Sequence, residues 1–149
     1  MRGKTRALFL CTHNSARSQM AEGFLRSIAG DRLMIASAGI EPAGVHPFAV
    51  RAMQEVGIDI SGQTSRPVKP FLGEVWHYVI TVCDHANEYC PIFPFPSRRL
   101  HWGFPDPSQA NGTEEERLQM FRRVRDEIFL KTRAWLAEQD DPRRSARTA

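Results

Sequence analysis

The stretch FLCTHNSARSQM, residues 9–20, passes from an apolar run into a helical pattern and sets Cys11 and Arg17 at the two ends of a polar loop. Just upstream, ALFLC (7–11) is apolar throughout and bounded by polar residues, the pattern of a strand covered on both faces of a parallel sheet. Downstream, Met20, Phe24, Leu25 and Ile28 recur at helical spacing on one face, and Gly30 marks the stop. A loop between a strand and a helix N-terminus turns several backbone N–H groups into one concavity, to which the helix dipole adds partial positive charge. The stretch therefore reads as an anion cradle. Arg17 adds a planar fork of donors suited to a tetrahedral oxyanion, while Asn14, Ser15 and Ser18 can tie the loop's own backbone in place.

The same field acts on Cys11. A free cysteine has a pKa of about 8.5, and a helix N-terminus with a nearby arginine brings it to roughly 3.5–7.5. The expectation is a resting thiolate beneath a bound oxyanion, placed for in-line attack. A cysteine at a strand end can equally be a small buried filler. The intact CTHNSARS run at a strand-to-helix junction favours chemistry.

Working outward, LMIASAGI (33–40) reads as a second strand. Pro47 suits the first turn of a helix carrying Val50, Met53 and Val56, with Gly57 as its C-terminal cap. VWHYVITVC (75–83) gives a third strand and RLHWGF (99–104) a short fourth. Thr113 and Glu116 form a capping-box pair at the start of a last helix carrying Leu118, Phe121, Val124, Ile128 and Trp135. Strands alternating with helices point to an open α/β sheet with helices on both faces, whose ligands bind outside the carboxyl ends of the strands. Cys11, Cys83 and Asp106 each fall at or just past such an end, so a parallel sheet would gather them on one edge.

The whole chain fits this reading. Its 149 residues suit one domain, expected over 1–141, followed by a basic tail at 142–149 with Arg143, Arg144 and Arg147 that is expected to be solvated. With 42% hydrophobic and 25% charged residues the composition is that of a globular protein. The net charge of +3 leaves no basic stripe interleaved with aromatics, so nucleic acid is not an expected partner. No apolar run approaches the ~18 residues of a membrane span, and residues 1–6 lead into a strand rather than a signal peptide. A cytoplasmic monomer is expected. In that compartment three cysteines are not a structural disulfide framework; they are buried fillers, metal ligands or reactive groups.

Cys-x5-Arg followed by Ser is the signature of the protein tyrosine phosphatases, and its position near the N-terminus resembles the low-molecular-weight branch. The resemblance implies a fold, a single-domain four-stranded parallel sheet in the order 2-1-3-4. It also gives FPDPS (104–108) a purpose, with Asp106 as general acid; as a bare tripeptide, Asp-Pro-Ser is a common turn. A second resemblance is wider. Through CTHNSARSQMAEG, SAGIEPAGV, DISGQTS, VITVCDHANEYCPIFP, HWGFPDPS and FRRVRDEI, in order over residues 5–136, the chain resembles the thioredoxin-coupled arsenate reductases.

That resemblance implies a relay of three thiols with no cofactor. Cys11 would attack arsenate held by Thr12, His13, Asn14, Ser15, Ala16 and Arg17, with Ser18 and Asp106 assisting. Cys83 and then Cys90 would carry the disulfide outward, and thioredoxin would reduce it. The spacing adds a constraint of its own. Seven residues of helix span about 10.5 Å, whereas a disulfide needs Cα atoms about 4.4–6.8 Å apart. If DHANEY (84–89) is helical when reduced, oxidation must unwind it.

Two rivals remain in view. A phosphatase of the same fold usually carries tyrosines after the Asp-Pro pair, and DPSQAN has none, although weak phosphate-ester hydrolysis could survive as a side activity. A zinc or arsenite module of Cys83, His85, Cys90 and His101 lacks tight ligand spacing and leaves the first loop unexplained. His13 is expected on the rim of the loop, and His101 and Trp102 are expected to pack. The family's second loop cysteine is replaced by Ala16. Of the residues with which some relatives bind potassium, Asn14, Glu22 and Ser37 match, but Arg66 stands at the acidic position; no metal is expected, and the guanidinium of Arg66 is expected to replace the ion's charge.

Overall fold

The computed structural model describes residues 4–139, so the basic tail at 142–149 lies outside the described residues. Four strands, β1 (Thr5–Cys11), β2 (Leu33–Gly39), β3 (Tyr78–Thr81) and β4 (Arg98–His101), pair in parallel in the order β2-β1-β3-β4. The helices are α1 (Arg17–Ala29), α2 (Pro47–Gln54), α3 (Asp84–Glu88) and α4 (Glu114–Gln139), with short 3-10 turns at Lys69–Gly73 and Pro107–Gln109. The fold class and strand order expected from the sequence are those observed.

The strand order reverses at β1, which sits between β2 and β3 and is covered on both faces. Ala7, Leu8, Phe9 and Leu10 are all fully buried, each of the larger three contributing roughly 1.5–3 kcal/mol of apolar burial. α1 and α4 pack on each other through Phe24 and Phe129, ring centroids 5.2 Å apart. The end of α4 returns to the sheet, where Trp135 meets Tyr78 edge-on at 5.0 Å and Trp102 at 6.0 Å. The capping box of α4 forms as its residues require: Glu116 N–H donates to Thr113 Oγ1 at 3.1 Å and Thr113 N–H to Glu116 Oε1 at 3.2 Å.

Several boundaries differ from the sequence reading. The third and fourth strands are shorter than 75–83 and 99–104 because apolar residues at their ends pack instead of pairing. Trp76 is buried with its indole N–H on Phe71 O at 3.1 Å, and beyond Thr81 and His101 the pairing thins to isolated bonds, from Val82 N–H to Leu10 O, from Trp102 N–H to Thr81 O and from Phe104 N–H to Val82 O. Ile28 does not join the buried face of α1. Each i,i+4 step drifts by about 40° around a helix, so the third member of the Met20–Phe24 row rotates outward and is 39% exposed. Likewise α2 ends at Gln54, capped at its start by His46 Nδ1 accepting from Phe48 N–H, and Val56 lies exposed in the turn that Gly57 closes at φ +81°.

Candidate active site

The loop from Cys11 to Arg17 runs from the end of β1 to the first turn of α1, and its carbonyls are taken up behind it. Ile40, Glu41, Ala43 and His46 donate their N–H groups to the carbonyls of Cys11, Thr12, His13 and Ser15 at 2.8–3.2 Å. The Gln19 amide donates to Asn14 O at 3.0 Å and to Thr64 O at 3.1 Å. With the carbonyls occupied on the outer side, a strand-to-helix loop of this kind leaves its peptide N–H groups for the opposite side. Ala16 precedes α1 without a capping side chain, so the N–H groups of the first turn are left for an anion.

Asn14 is the pivot. It takes φ +48°, left-handed for a residue with a side chain, and is fully buried. Its Nδ2 donates to Ser18 Oγ at 2.8 Å and Ser37 Oγ at 2.9 Å, and its Oδ1 accepts from Arg66 N–H at 2.9 Å. The close approach needs a glycine opposite: a Cβ on Gly39, which pairs with Cys11 in the sheet, would lie 2.9 Å from Asn14 Cβ.

The expectation about charge near the loop is corrected here. Ser37 Oγ donates to Glu22 Oε1 at 2.6 Å, and the buried Glu22 pairs with Arg26, one turn further along α1. Arg66 instead lays its guanidinium over the Phe71 ring at 5.5 Å. Arg26, not Arg66, supplies the positive charge, because Arg26 lies one turn along α1 from Glu22 while the Arg66 guanidinium is turned onto Phe71.

Cys11 and Cys83 are brought together. Both are free and buried, and each thiol shifts the ionisation of the other. Thr12 Oγ1 lies 3.2 Å from Cys83 Sγ, and Ala86 N–H donates to the same sulfur at 3.4 Å. The pair holds one negative charge more readily than two. The hydrogen bond with Cys11, opposed by burial and aided by Thr12, the Ala86 N–H and the Arg17 charge, lowers Cys83 to about 5. The hydrogen bond with Cys83, together with burial, holds Cys11 well above the ordinary thiol range, although Arg17 and the Thr12 N–H pull it down. The expected lone thiolate on Cys11 thus becomes a charge shared by the two sulfurs and drawn toward Cys83.

Arg17 is 9% exposed and faces the loop after β4: Nη1 donates to Phe104 O at 3.1 Å, and Nη2 lies 3.5 Å from Asp106 Oδ2. The other carboxylate oxygen of Asp106 accepts from the Ser108 hydroxyl at 2.7 Å and N–H at 3.0 Å. Burial pushes the Asp106 carboxyl up, but the Ser108 bonds, Arg17 and Gln109 outweigh it, and the group falls below the usual carboxylate range. In this state Asp106 is ionised, not poised as an acid.

Cys90 stands apart, half-buried beyond the end of α3, with Sγ 3.5 Å from Pro91 O; burial raises its thiol and Arg99 lowers it. His13 is exposed on the rim with Nδ1 at 3.0 Å from Glu41 O, as expected. Trp102 packs, being 5% exposed, but His101 does not: it bonds Thr81 through Nδ1 at 2.8 Å and Asp84 through Nε2 at 3.0 Å. Its alternation along an edge strand turns it outward, away from the core that takes Trp102. His85 stacks on Tyr89, and among the described residues no group of three or more His, Cys, Asp or Glu could hold a metal ion. Among the described residues no helix is long and apolar enough to cross a membrane.

Gln19, Gly39 and the Phe104 carbonyl went unread in the sequence. Gln19 lies on α1 between Ser18 and Met20 and is fully buried, which nothing in its local pattern announces.

The pattern of the low molecular weight phosphotyrosine protein phosphatases matches residues 6–144. An arsenate reductase of Halalkalibacterium halodurans is 54% identical over 120 residues, covering 80% of this chain and 86% of the relative. A solved arsenate reductase in the phosphate-binding state superposes with TM-score 0.73 at 34% identity, covering 90% of this chain and 98% of that one. A thioredoxin-dependent arsenate reductase of Corynebacterium glutamicum superposes with TM-score 0.62 at 26% identity, covering 88% of this chain and 63% of that one. The chain belongs to the low molecular weight phosphotyrosine protein phosphatase family and, within it, to the arsenate reductases.

Proposed function

We propose that this chain reduces arsenate to arsenite through Cys11, Cys83 and Cys90 in turn and is reset by thioredoxin. The observation that carries the reading is the meeting of two free, buried thiols, Cys11 and Cys83, at the mouth of an anion cradle. A phosphatase resolves its covalent intermediate with water, and a second thiol there has no task.

Arsenate enters the ring of inward N–H groups, and Arg17 swings from Asp106 onto the oxyanion. The shared proton passes from Cys11 to Cys83 along their hydrogen bond. Asp106, released from Arg17 and now facing a bound anion, is raised from its depressed pKa and can be protonated as a general acid. The Cys11 sulfur attacks arsenic, a bond from arsenic to oxygen breaks, and the oxygen leaves as water with the proton of Asp106. Ser18 and Asn14 hold the loop while this happens.

Cys83 gives up its proton and attacks the Cys11 sulfur. The bond from sulfur to arsenic breaks with its electron pair on arsenic, so arsenic falls from the pentavalent to the trivalent state and the two sulfurs are oxidised to a disulfide. Cys90, as thiolate, then attacks the Cys83 sulfur and Cys11 leaves as thiolate. A dithiol protein finally reduces the Cys83–Cys90 bridge by exchange. The thioredoxin dependence of the Corynebacterium glutamicum relative supports that reductant. The absence of tyrosine from DPSQAN after the acid weighs against an aryl phosphate as main substrate.

The test is arsenate-dependent consumption of NADPH through thioredoxin reductase and thioredoxin, run on the wild type and each single Cys→Ser variant. Loss of turnover in all three supports the relay; phosphatase turnover with undiminished rate in Cys83→Ser contradicts it.

A further inference from the structure

α3 is five residues long, and isolated helices shorter than about 12–15 residues are marginal in water. Neighbours must hold it. Cys83 at its start accepts from Ala86 N–H, and Ala86 is buried; the other holds come from the sheet. His101 Nε2 reaches Asp84 Oδ1, the first residue of α3, at 3.0 Å. Arg99 Nη2 donates to Asn87 O at 2.7 Å, a carbonyl of the last turn that the helix itself leaves without a partner. Thr81 supports both, with its hydroxyl 2.8 Å from His101 Nδ1 and 3.4 Å from Asn87 Oδ1.

Arg99 and His101 are two apart on the edge strand β4 and so share one of its faces. One grips the beginning of α3 and the other its end. We propose that Arg99 and His101 form a latch that stabilises α3 in the reduced protein only, and thereby set the reduction potential of the Cys83–Cys90 couple. They are positioning residues, since neither touches substrate or a reacting sulfur. The proposal rests on the relay reading insofar as it requires a Cys83–Cys90 disulfide.

The direction follows from geometry. The five residues of α3 rise about 1.5 Å each between Cys83 before the helix and Cys90 two residues beyond it, so the two cysteines lie at opposite ends of the helix, whereas a disulfide needs their Cα atoms about 4.4–6.8 Å apart. When the two thiols are oxidised, two electrons and two protons pass to the oxidant, α3 opens, and the bonds to Asp84 and Asn87 O are lost. Each latch bond therefore counts in the reduced state and not in the oxidised one. Weakening the latch favours the disulfide and makes the potential more negative.

The test equilibrates the full chain with mixtures of reduced and oxidised dithiothreitol and quantifies the Cys83–Cys90 bridge by mass spectrometry, for wild type, Arg99→Ala, Arg99→Lys and His101→Ala. An equilibrium readout is chosen because Arg99 also eases ionisation of Cys90, so its removal would slow attack for a separate reason. The latch predicts a three- to tenfold shift toward the disulfide in each Ala variant, about 15–30 mV more negative for this two-electron couple, with Arg99→Lys in between. It also predicts a lower melting temperature for the reduced Ala variants and an unchanged one for the oxidised. An unmoved potential, or equal losses of melting temperature in both redox states, overturns the latch and leaves the relay standing. If wild type forms no Cys83–Cys90 bridge at any potential, the relay reading itself falls, and the latch with it.

Discussion

The guanidinium of Arg17 lies 3.5 Å from the carboxylate of Asp106, so the cradle's cation and its candidate acid hold each other. The Ser108 bonds and, after them, this pair keep Asp106 charged, and an oxyanion that takes Arg17 away removes one of those holds. Asp106→Asn should lower kcat by roughly 10²–10⁴ while moving KM far less, as expected for loss of a general acid. Steady-state kinetics on arsenate checks the split.

The same carboxyl links stability to pH. Its folded pKa is depressed, so its contribution is present above the unfolded value of about 3.9 and is lost as pH falls through the folded value. Asp106→Asn should therefore be less stable than wild type at neutral pH, and the gap should close in acid. Urea melts at pH 7 and pH 3 measure it.

The thiol pair should titrate as a unit. Thiolate absorbance at 240 nm should show a step near pH 5, assigned to Cys83. In Cys11→Ala the largest cause of that low value is gone, and the step should move up toward the ordinary thiol value of about 8.5. A step that stays at its wild-type position in Cys11→Ala would show that the two sulfurs do not share the charge.

Asn14 combines a left-handed backbone with three buried side-chain bonds. Asn14→Ala leaves Ser37, Ser18 and the Arg66 N–H short of a buried partner, and should cost about 2–4 kcal/mol in thermal or denaturant unfolding.

The buried Glu22 carries a partner charge in Arg26, and Asn14 donates to Ser37 while Ser37 donates to Glu22. The melting temperature should be the same in potassium and in sodium at equal ionic strength. A clear rise in potassium alone would mean that an ion competes successfully with this network.

Most of this architecture is legible in the sequence. The apolar run ending at Cys11, the polar loop and Arg17 identify the cradle because strand, loop and helix signals all fall within a dozen residues, where local physics decides. The same holds for the Thr113 and Glu116 box. What escaped depends on distant contacts: Ile28 turns outward because α1 drifts past α4, Gln19 is buried by the loop at 63–64, and His101 turns polar because Asp84 is within reach. The charge on Cys83 escaped for the same reason. No local pattern reports that a residue 72 positions later will hydrogen-bond Cys11.

The measurement that bears most directly on the relay is a single-turnover experiment with no external reductant, following arsenite released per enzyme alongside the disulfide formed. Wild type should release one equivalent and accumulate a Cys83–Cys90 bridge, Cys90→Ser one equivalent with a Cys11–Cys83 bridge, and Cys83→Ser none. One equivalent of arsenite from Cys83→Ser would contradict the account.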